Sequence, residues 1–281
     1  MNFPKITIVT PNYNQAQYLE LTILSVLEQN YPNLEYIIMD GGSTDNSLNI
    51  IRKYQDRLSF WTSEADEGVY DAINKGFSRA TGEIFCWINS DDILWENSLH
   101  YIGTLFSQNP DLNWLQGYPS VINEKGQVIF QREPVYSKLF FYLEKHEKSF
   151  SFIQQESTFW RRDLWQKAGG NLNIDYKIAA DFDLWLRFFN HASLYCSKKQ
   201  LGAFRTRSGQ KSEDQLLYLK EARISLKNNF KDLKFGEIIL IKVLGKLLEF
   251  SKKFHSGFLI KIHRKLEAKA VGKPKMITLR E

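Results

Sequence analysis

Ile84-Phe85-Cys86-Trp87-Ile88-Asn89-Ser90-Asp91-Asp92 decides the fold. Five apolar residues in a row read as a strand covered on both faces, and the polar run after them reads as the turn that leaves it. A strand buried in this way belongs to a sheet with helices above and below, and such a sheet binds ligands outside the carboxyl ends of its strands. The acids Asp91 and Asp92 then project into a crevice. Hard oxygen ligands of this kind suit Mg²⁺ or Mn²⁺, and a divalent cation there would hold the phosphates of a nucleotide. The same Asp-Asp pair also reads as a solvated turn, or as a helix N-cap ahead of Ile93-Leu94-Trp95. The flanking segments bear on the choice.

Upstream, strand and helix patterns alternate with short connections. Residues 6–9 predict a strand, residues 18–27 a helix, and residues 34–39 a second strand. A helix over 44–54 follows the turn Asp40-Gly41-Gly42-Ser43, residues 60–62 predict a short strand, and residues 69–79 a helix. This alternation predicts an α/β fold with a mostly parallel central sheet and helices on both faces. Downstream, residues 95–109 predict a helix, 112–130 short strands with turns at Gly117 and 124–126, 136–143 a helix and 157–160 a strand. Asp181 and Asp183 open a helical pattern, where the helix dipole favours negative charge.

The chain has 281 residues, 43% hydrophobic and 25% charged, enough for one large domain with an appendage. Twenty Phe, thirteen Tyr and seven Trp suit a thick core or a groove for flat ligands. Cys86 and Cys196 lie in apolar runs, which predicts two free buried thiols and a reducing compartment. The start of the chain lacks the pattern of a secretory signal, and no run of 18 apolar residues predicts a transmembrane helix. The net charge of +5 is uneven: residues 231–281 hold 13 Lys and Arg against 5 Asp and Glu, leaving 24 against 27 for residues 1–230. An acidic body argues against nucleic acid as a partner. We therefore divide the chain into a domain over 1–230 and a basic amphipathic helical tail over 231–281. In the tail, residues 238–250 and 254–266 set Lys, Arg and Gly on one helical face and Ile, Leu and Val on the rest. Two readings stay open, an interfacial helical pair on an anionic membrane and a hairpin packed on the domain.

Polar clusters fall at the strand ends: Thr10-Pro11-Asn12-Tyr13-Asn14, Asp40-Gly41-Gly42-Ser43-Thr44-Asp45, Glu64-Ala65-Asp66-Glu67-Gly68 and Asn89-Ser90-Asp91-Asp92. With Tyr70-Asp71-Ala72-Ile73-Asn74-Lys75-Gly76 and Ala80-Thr81-Gly82-Glu83 in this order, the chain resembles family 2 glycosyltransferases of the GT-A fold, from about residue 5 to residue 212. No phosphate-binding Gly-x-x-x-x-Gly-Lys motif competes. The resemblance implies a nucleotide site containing Thr10, Pro11, Tyr13 and Asp40, with Asp71, Asn74, Asn89 and Ser90 supporting the donor. Asp40 also reads as a cap on the next helix, and Asp71 and Asn74 as polar residues on a helix surface. Asp91 is the implied main ligand of Mn²⁺ or Mg²⁺, with Asp92 beside it, and Gln155 lies near the diphosphate or acceptor. Asp181 is the implied base that takes the proton of the acceptor hydroxyl, with Asp183 as the fallback. One departure stands out. Where related sequences carry a metal-ligating His in an Arg-x-His-x-Gly segment, Phe204-Arg205-Thr206-Arg207-Ser208-Gly209 places Arg207, which pairs with a diphosphate rather than with a metal.

The expectation is an inverting glycosyltransferase that moves a sugar from a nucleotide-sugar donor, UDP-linked by preference, to a glycan or lipid-linked acceptor. It is expected to be cytoplasmic and peripheral on the inner face of the cell membrane. A noncatalytic nucleotide-sugar-binding scaffold is the alternative. A sugar-nucleotide pyrophosphorylase fits less well, because the first strand is not followed by a Gly-rich basic loop.

Overall fold

The computed structural model describes residues 3–135, 137–253 and 257–279; the expectations at Met1, Tyr136 and Phe254 lie outside these. In chain order the first half runs β1 (Ile6–Asn12), α1 (Ala16–Leu27), β2 (Leu34–Asp40), α2 (Ser47–Tyr54), β3 (Phe60–Ser63), α3 (Val69–Arg79), β4 (Ile84–Trp87), β5 (Ile93–Leu94) and α4 (Ser98–Gln108). Then follow β6 (Trp114–Gln116), β7 (Ser120–Ile122), β8 (Val128–Gln131), α5 (Lys138–Tyr142), α6 (Lys145–Ser149), β9 (Thr158–Arg161), α7 (Arg162–Lys167), α8 (Ala180–Phe189), β10 (Tyr195–Cys196) and β11 (Gly202–Arg205). The chain closes with α9 (Gln215–Asn229), α10 (Phe235–Lys253), α11 (Gly257–Val271) and β12 (Lys275–Met276).

The main sheet has the order β12-β10-β6-β9-β4-β1-β2-β3. It is parallel except around β9, which runs antiparallel to both β4 and β6. Strand order reverses between β1 and β4, so a crevice opens at their carboxyl ends, where an open α/β sheet takes its ligand. β1 runs three residues further than expected. β4 stops at Trp87 opposite Val9, so Pro11, which has no N–H to give a neighbour, lies beyond β4's reach and costs the ladder nothing there. A second sheet, β5-β11-β7-β8, was not expected from the sequence. It forms because β11 pairs with β5, immediately after Asp92.

Aromatic burial sets the far wall. The Trp87 and Trp185 rings stack at 5.9 Å, Trp114 stacks on Trp185 at 5.8 Å, and Trp160 meets Trp87 edge-on at 5.4 Å. Most of the heavy aromatic load is thus core. Its effect on the site is indirect but strong: α8 carries Trp185, so the same rings that fill the core fix the start of α8 relative to the end of β4. Cys86 and Cys196 are free and buried.

The tail is a pair of helices, α10 and α11, set against α5. Lys138 pairs with Glu237 at 3.0 Å, Lys145 pairs with Glu267, and Leu233 and Leu244 are buried. β12 then joins β10 at the edge of the main sheet. Among the described residues no helix is long and apolar enough to cross a membrane.

Candidate active site

At the ends of β1, β2 and β3, Asp40 is the hub. Its carboxylate accepts Asn12 Nδ2 at 2.6 Å, Ser43 Oγ at 2.6 Å, the Ser43 N–H at 2.9 Å and Ser63 Oγ at 2.6 Å. Four donors occupy the lone-pair positions of a carboxylate, so Asp40 here orders the loop that follows β2. Asp66 approaches Gly41 closely: a Cβ there would lie 2.6 Å from Asp66 Oδ2, so any larger residue would displace that side chain. A small crevice lined by Asp40, Thr62, Glu64, Asp66, Ala72 and Lys75 opens at this point. Tyr13, just beyond β1, is 60% exposed.

The turn after β4 holds the second cluster. Asn89 Nδ2 lies 3.3 Å from Asp92 Oδ2 and 3.5 Å from Gln155 Oε1, while Gln155 donates to the Trp87 carbonyl. Asp92 is fully buried and accepts the Arg205 N–H at 2.8 Å. Burial, with Asp91 and Glu156 nearby, pushes its carboxyl well above the ordinary carboxylate range. Asp91, by contrast, faces the crevice, and Arg207 Nε donates to its Oδ2 at 2.8 Å. Among the described residues no group of three or more His, Cys, Asp and Glu stands together as a metal cage. Mg²⁺ needs no such cage, since one or two carboxylates with substrate phosphates commonly hold it. Asp91 Oδ1, which no described donor engages, fits that one-carboxylate mode; Asp92, shut into the core, does not face the crevice.

The third cluster is at the start of α8. The Tyr218 hydroxyl lies 3.2 Å from both oxygens of Asp181. Burial raises the Asp181 carboxyl to about 7, against the Phe182 N–H and Tyr218, which favour the charged form. Tyr70 is close enough that Asp181, after burial itself, adds to the upward shift of its phenol. Glu221 secures the approach to the helix: its Oε1 accepts the Lys177 N–H at 2.9 Å and its Oε2 those of Ile178 and Ala179 at 3.0 Å. One carboxylate thus satisfies three consecutive amides of the segment that leads into α8.

Several expected residues are placed elsewhere. Thr10 is buried, its hydroxyl 3.1 Å from that of Tyr36. Pro11 is buried within β1, and Ser90 is buried with its carbonyl accepting from Thr22. Asn74 clasps Leu172 in both directions, at 2.9 and 2.7 Å, and so pins the loop before α8. Asp71 pairs with Lys75 at 2.8 Å, which holds its carboxyl below the ordinary value. Asp183 accepts Arg187 Nε at 2.9 Å, Ser225 Oγ at 2.8 Å and Asn229 Nδ2 at 3.1 Å, joining α8 to α9. It has no open oxygen for an acceptor. Asn12, Arg205, Tyr218 and Glu221 carry the site and were not singled out from the sequence. Tyr218 and Glu221 are three residues apart and share one face of α9, a spacing that becomes meaningful only when the helix's neighbour is known.

Comparison with known proteins gives the family and the fold. Residues 7–167 match the family model described as glycosyl transferase family 2. The chain is similar to an uncharacterized glycosyltransferase of Rickettsia prowazekii, 30% identical over 243 residues, 85% of this chain and 76% of that one. It is also similar to the PGL/p-HBAD biosynthesis glycosyltransferase of Mycobacterium tuberculosis, 27% identical over 198 residues, 69% of this chain and 73% of that one. S. aureus TarS 1-349 in complex with UDP-GlcNAc has the same fold, with a TM-score of 0.68 at 16% identity over 95% of this chain and 79% of that one.

Proposed function

The chain belongs to glycosyl transferase family 2 and is a glycosyltransferase, and from its site we infer an inverting transfer from a UDP-sugar to a hydroxyl of a glycan or lipid-linked acceptor. The observation that carries this reading is Asp181, a carboxyl at about 7 at the start of α8 whose oxygens meet the Tyr218 hydroxyl. A base near neutrality removes the hydroxyl proton while the oxygen attacks the anomeric carbon. Asp92, Asp183 and Glu156 are buried, and their oxygens bond within the protein. Among the described residues Asp91 is the carboxylate left at the end of β4, and its pairing with Arg207 fits the leaving-group side rather than a nucleophile, which favours direct displacement and hence inversion. Tyr13 and the crevice beside Asp40 supply an aromatic face and acceptors for a pyrimidine base. A divalent cation on Asp91 would add Lewis-acid charge at the leaving diphosphate.

The outward faces of the tail support a membrane-linked acceptor. Phe235, Ile239, Val243, Phe250 and Phe258 are exposed, among the exposed cations Lys242, Lys246, Lys261 and Lys265. Apolar groups beside cations on a helix face fit the interface of an anionic bilayer. Since α10 and α11 also pack on α5, the two readings of the tail are compatible: one face docks on the domain and the exposed groups of the other suit lipid.

Calorimetry with UDP-sugars, GDP-sugars and dTDP-sugars tests the donor. One class should bind, and Asp40→Leu should weaken it by about tenfold or more, because both the loop and the base pocket depend on that carboxylate. Failure of every nucleotide sugar to bind would refute the transferase reading of this pocket.

A further inference from the structure

Two arginines near the end of β11 behave differently. Arg205 is 1% exposed. Its Nε donates to the Asp91 carbonyl at 2.6 Å and its Nη1 to the carbonyls of Asn123 and Glu124 at 3.0 and 3.1 Å. With its own N–H on Asp92, it welds β11 to the turn after β4. Arg207 is held by Nε alone, on Asp91 Oδ2 at 2.8 Å, and its side chain is 17% exposed. Among the described residues neither of its Nη nitrogens has a hydrogen-bond partner. Four N–H donors of one guanidinium therefore stand open at the mouth of the crevice.

The segment around Arg207 is built to keep it there. Its own N–H bonds Gln210 Oε1 at 3.0 Å, the Ser208 N–H bonds Glu124 Oε1 at 3.3 Å, and the Gly209 N–H bonds Glu213 Oε1 at 3.3 Å. Gly209 has φ 75°, which lets the chain turn back on itself. Tyr18 lies beneath both guanidiniums, its ring centre 5.0 Å from Arg205 Cζ and 6.0 Å from Arg207 Cζ. The fork is thus pre-placed, and ordering it on a ligand costs little.

We propose that Arg207 is the resident cation of the diphosphate subsite: it binds the donor diphosphate directly, and by pairing with Asp91 it weakens that residue as a ligand for a divalent metal. This rests on the nucleotide-diphosphate reading above. A guanidinium can keep Nε on a carboxylate and still offer its Nη groups to two phosphate oxygens. A metal arriving at Asp91, in contrast, meets a carboxylate whose charge is already neutralised in a half-buried place, where ion pairs are screened less than at the surface. The leaving group's charge is then met by a group that the chain itself supplies.

The test is calorimetric binding of UDP and uridine, with GDP and guanosine and dTDP and thymidine run in parallel, in EDTA and in Mn²⁺. For the intact protein in EDTA, the diphosphate of the preferred base should bind about tenfold or more tighter than its nucleoside, and Mn²⁺ should add less than about threefold. Arg207→Ala should abolish the advantage of the diphosphate in EDTA, leave the nucleoside's affinity unchanged, and recover the advantage when Mn²⁺ is added to the freed Asp91. Arg207→His should bind the diphosphate only with Mn²⁺. Unchanged diphosphate binding by Arg207→Ala in EDTA would overturn the proposal, and so would a parent protein that distinguishes diphosphate from nucleoside only with Mn²⁺. In either case nucleoside binding would leave the donor pocket standing. Binding of none of the six compounds would overturn the donor reading and this inference with it.

Discussion

Replacing Asp181 with Asn should separate catalysis from stability, because the burial that makes the carboxyl a base near neutrality also makes its ionised form costly. Asp181 lies at about 7 against an ordinary value of 3.8, chiefly through burial. The folded protein therefore holds this proton more tightly than the unfolded chain does. The stability gained is complete below pH 3.8, declines as the pH rises, and is lost above about 7. At about 1.4 kcal/mol per tenfold in acidity the full span is about 4 kcal/mol. Partial exposure of the carboxyl reduces this to about 1–3 kcal/mol. Asn keeps the shape without the ionisation, so at pH 8 the variant should melt several degrees higher than the parent, taking about 2–4 °C per kcal/mol for a chain of this size. The gain should shrink toward pH 5. Transfer, followed as release of nucleoside diphosphate, should fall by about 10²–10⁴-fold. In the parent the rate should rise about tenfold per pH below the pKa and level off above it. A variant that turns over at the parent's rate would remove Asp181 from the base position. One that melts lower at pH 8 would refute the link between its burial and its function.

Glu221→Gln leaves one acceptor oxygen where three amides converge, and should destabilise the chain by about 1–3 kcal/mol in urea unfolding. Turnover should fall with nucleoside affinity intact, and an unchanged unfolding midpoint would show that the three amides find other partners. For the tail, point changes are preferable to removal, because α10 and α11 are packed on α5. Phe235→Ser with Phe258→Ser should leave the melting temperature unchanged yet weaken co-sedimentation with anionic vesicles. Lys261→Glu with Lys265→Glu should weaken it about tenfold or more, at about 1 kcal/mol per basic residue near the surface. Equal sedimentation of all these variants would leave the exposed face without a lipid role.

What was legible in the sequence was what period and position can express. The five-residue apolar run of β4 and the alternation before it located the parallel half of the sheet, and the motifs located Asp40, Asp91 and Asp181 at strand and helix ends. What was not legible depends on closure between distant segments. Asp183 follows Asp181 by two residues and shares its composition, its helix and its favourable dipole position. The structure separates them because α9 arrives from over thirty residues away and gives Asp183 Ser225 and Asn229 as donors, while it gives Asp181 a single phenol. The second sheet was hidden for the same reason, since the two residues of β5 carry no strand signal until β11 lies beside them.

Arg205 and Arg207 press this point furthest. The spacing Arg-Thr-Arg puts both on the same side of an extended chain, and nothing local distinguishes them. Arg205 meets the carbonyls of Asn123, Glu124 and Asp91, and a guanidinium with its donors on carbonyls becomes structure. Arg207 comes after β11 has left its partner strand, and among the described residues its side chain bonds one carboxylate oxygen through Nε, so its Nη donors stay open. The difference lies in where the β7–β8 turn ends, and that turn is set by residues about eighty positions earlier. A cationic residue in this segment is therefore informative only together with the carbonyls around it. The site's charge balance follows from that geometry: Asp92 is withdrawn into the core, Asp91 is half neutralised by Arg207, and the Nη donors of Arg207 are left beside it.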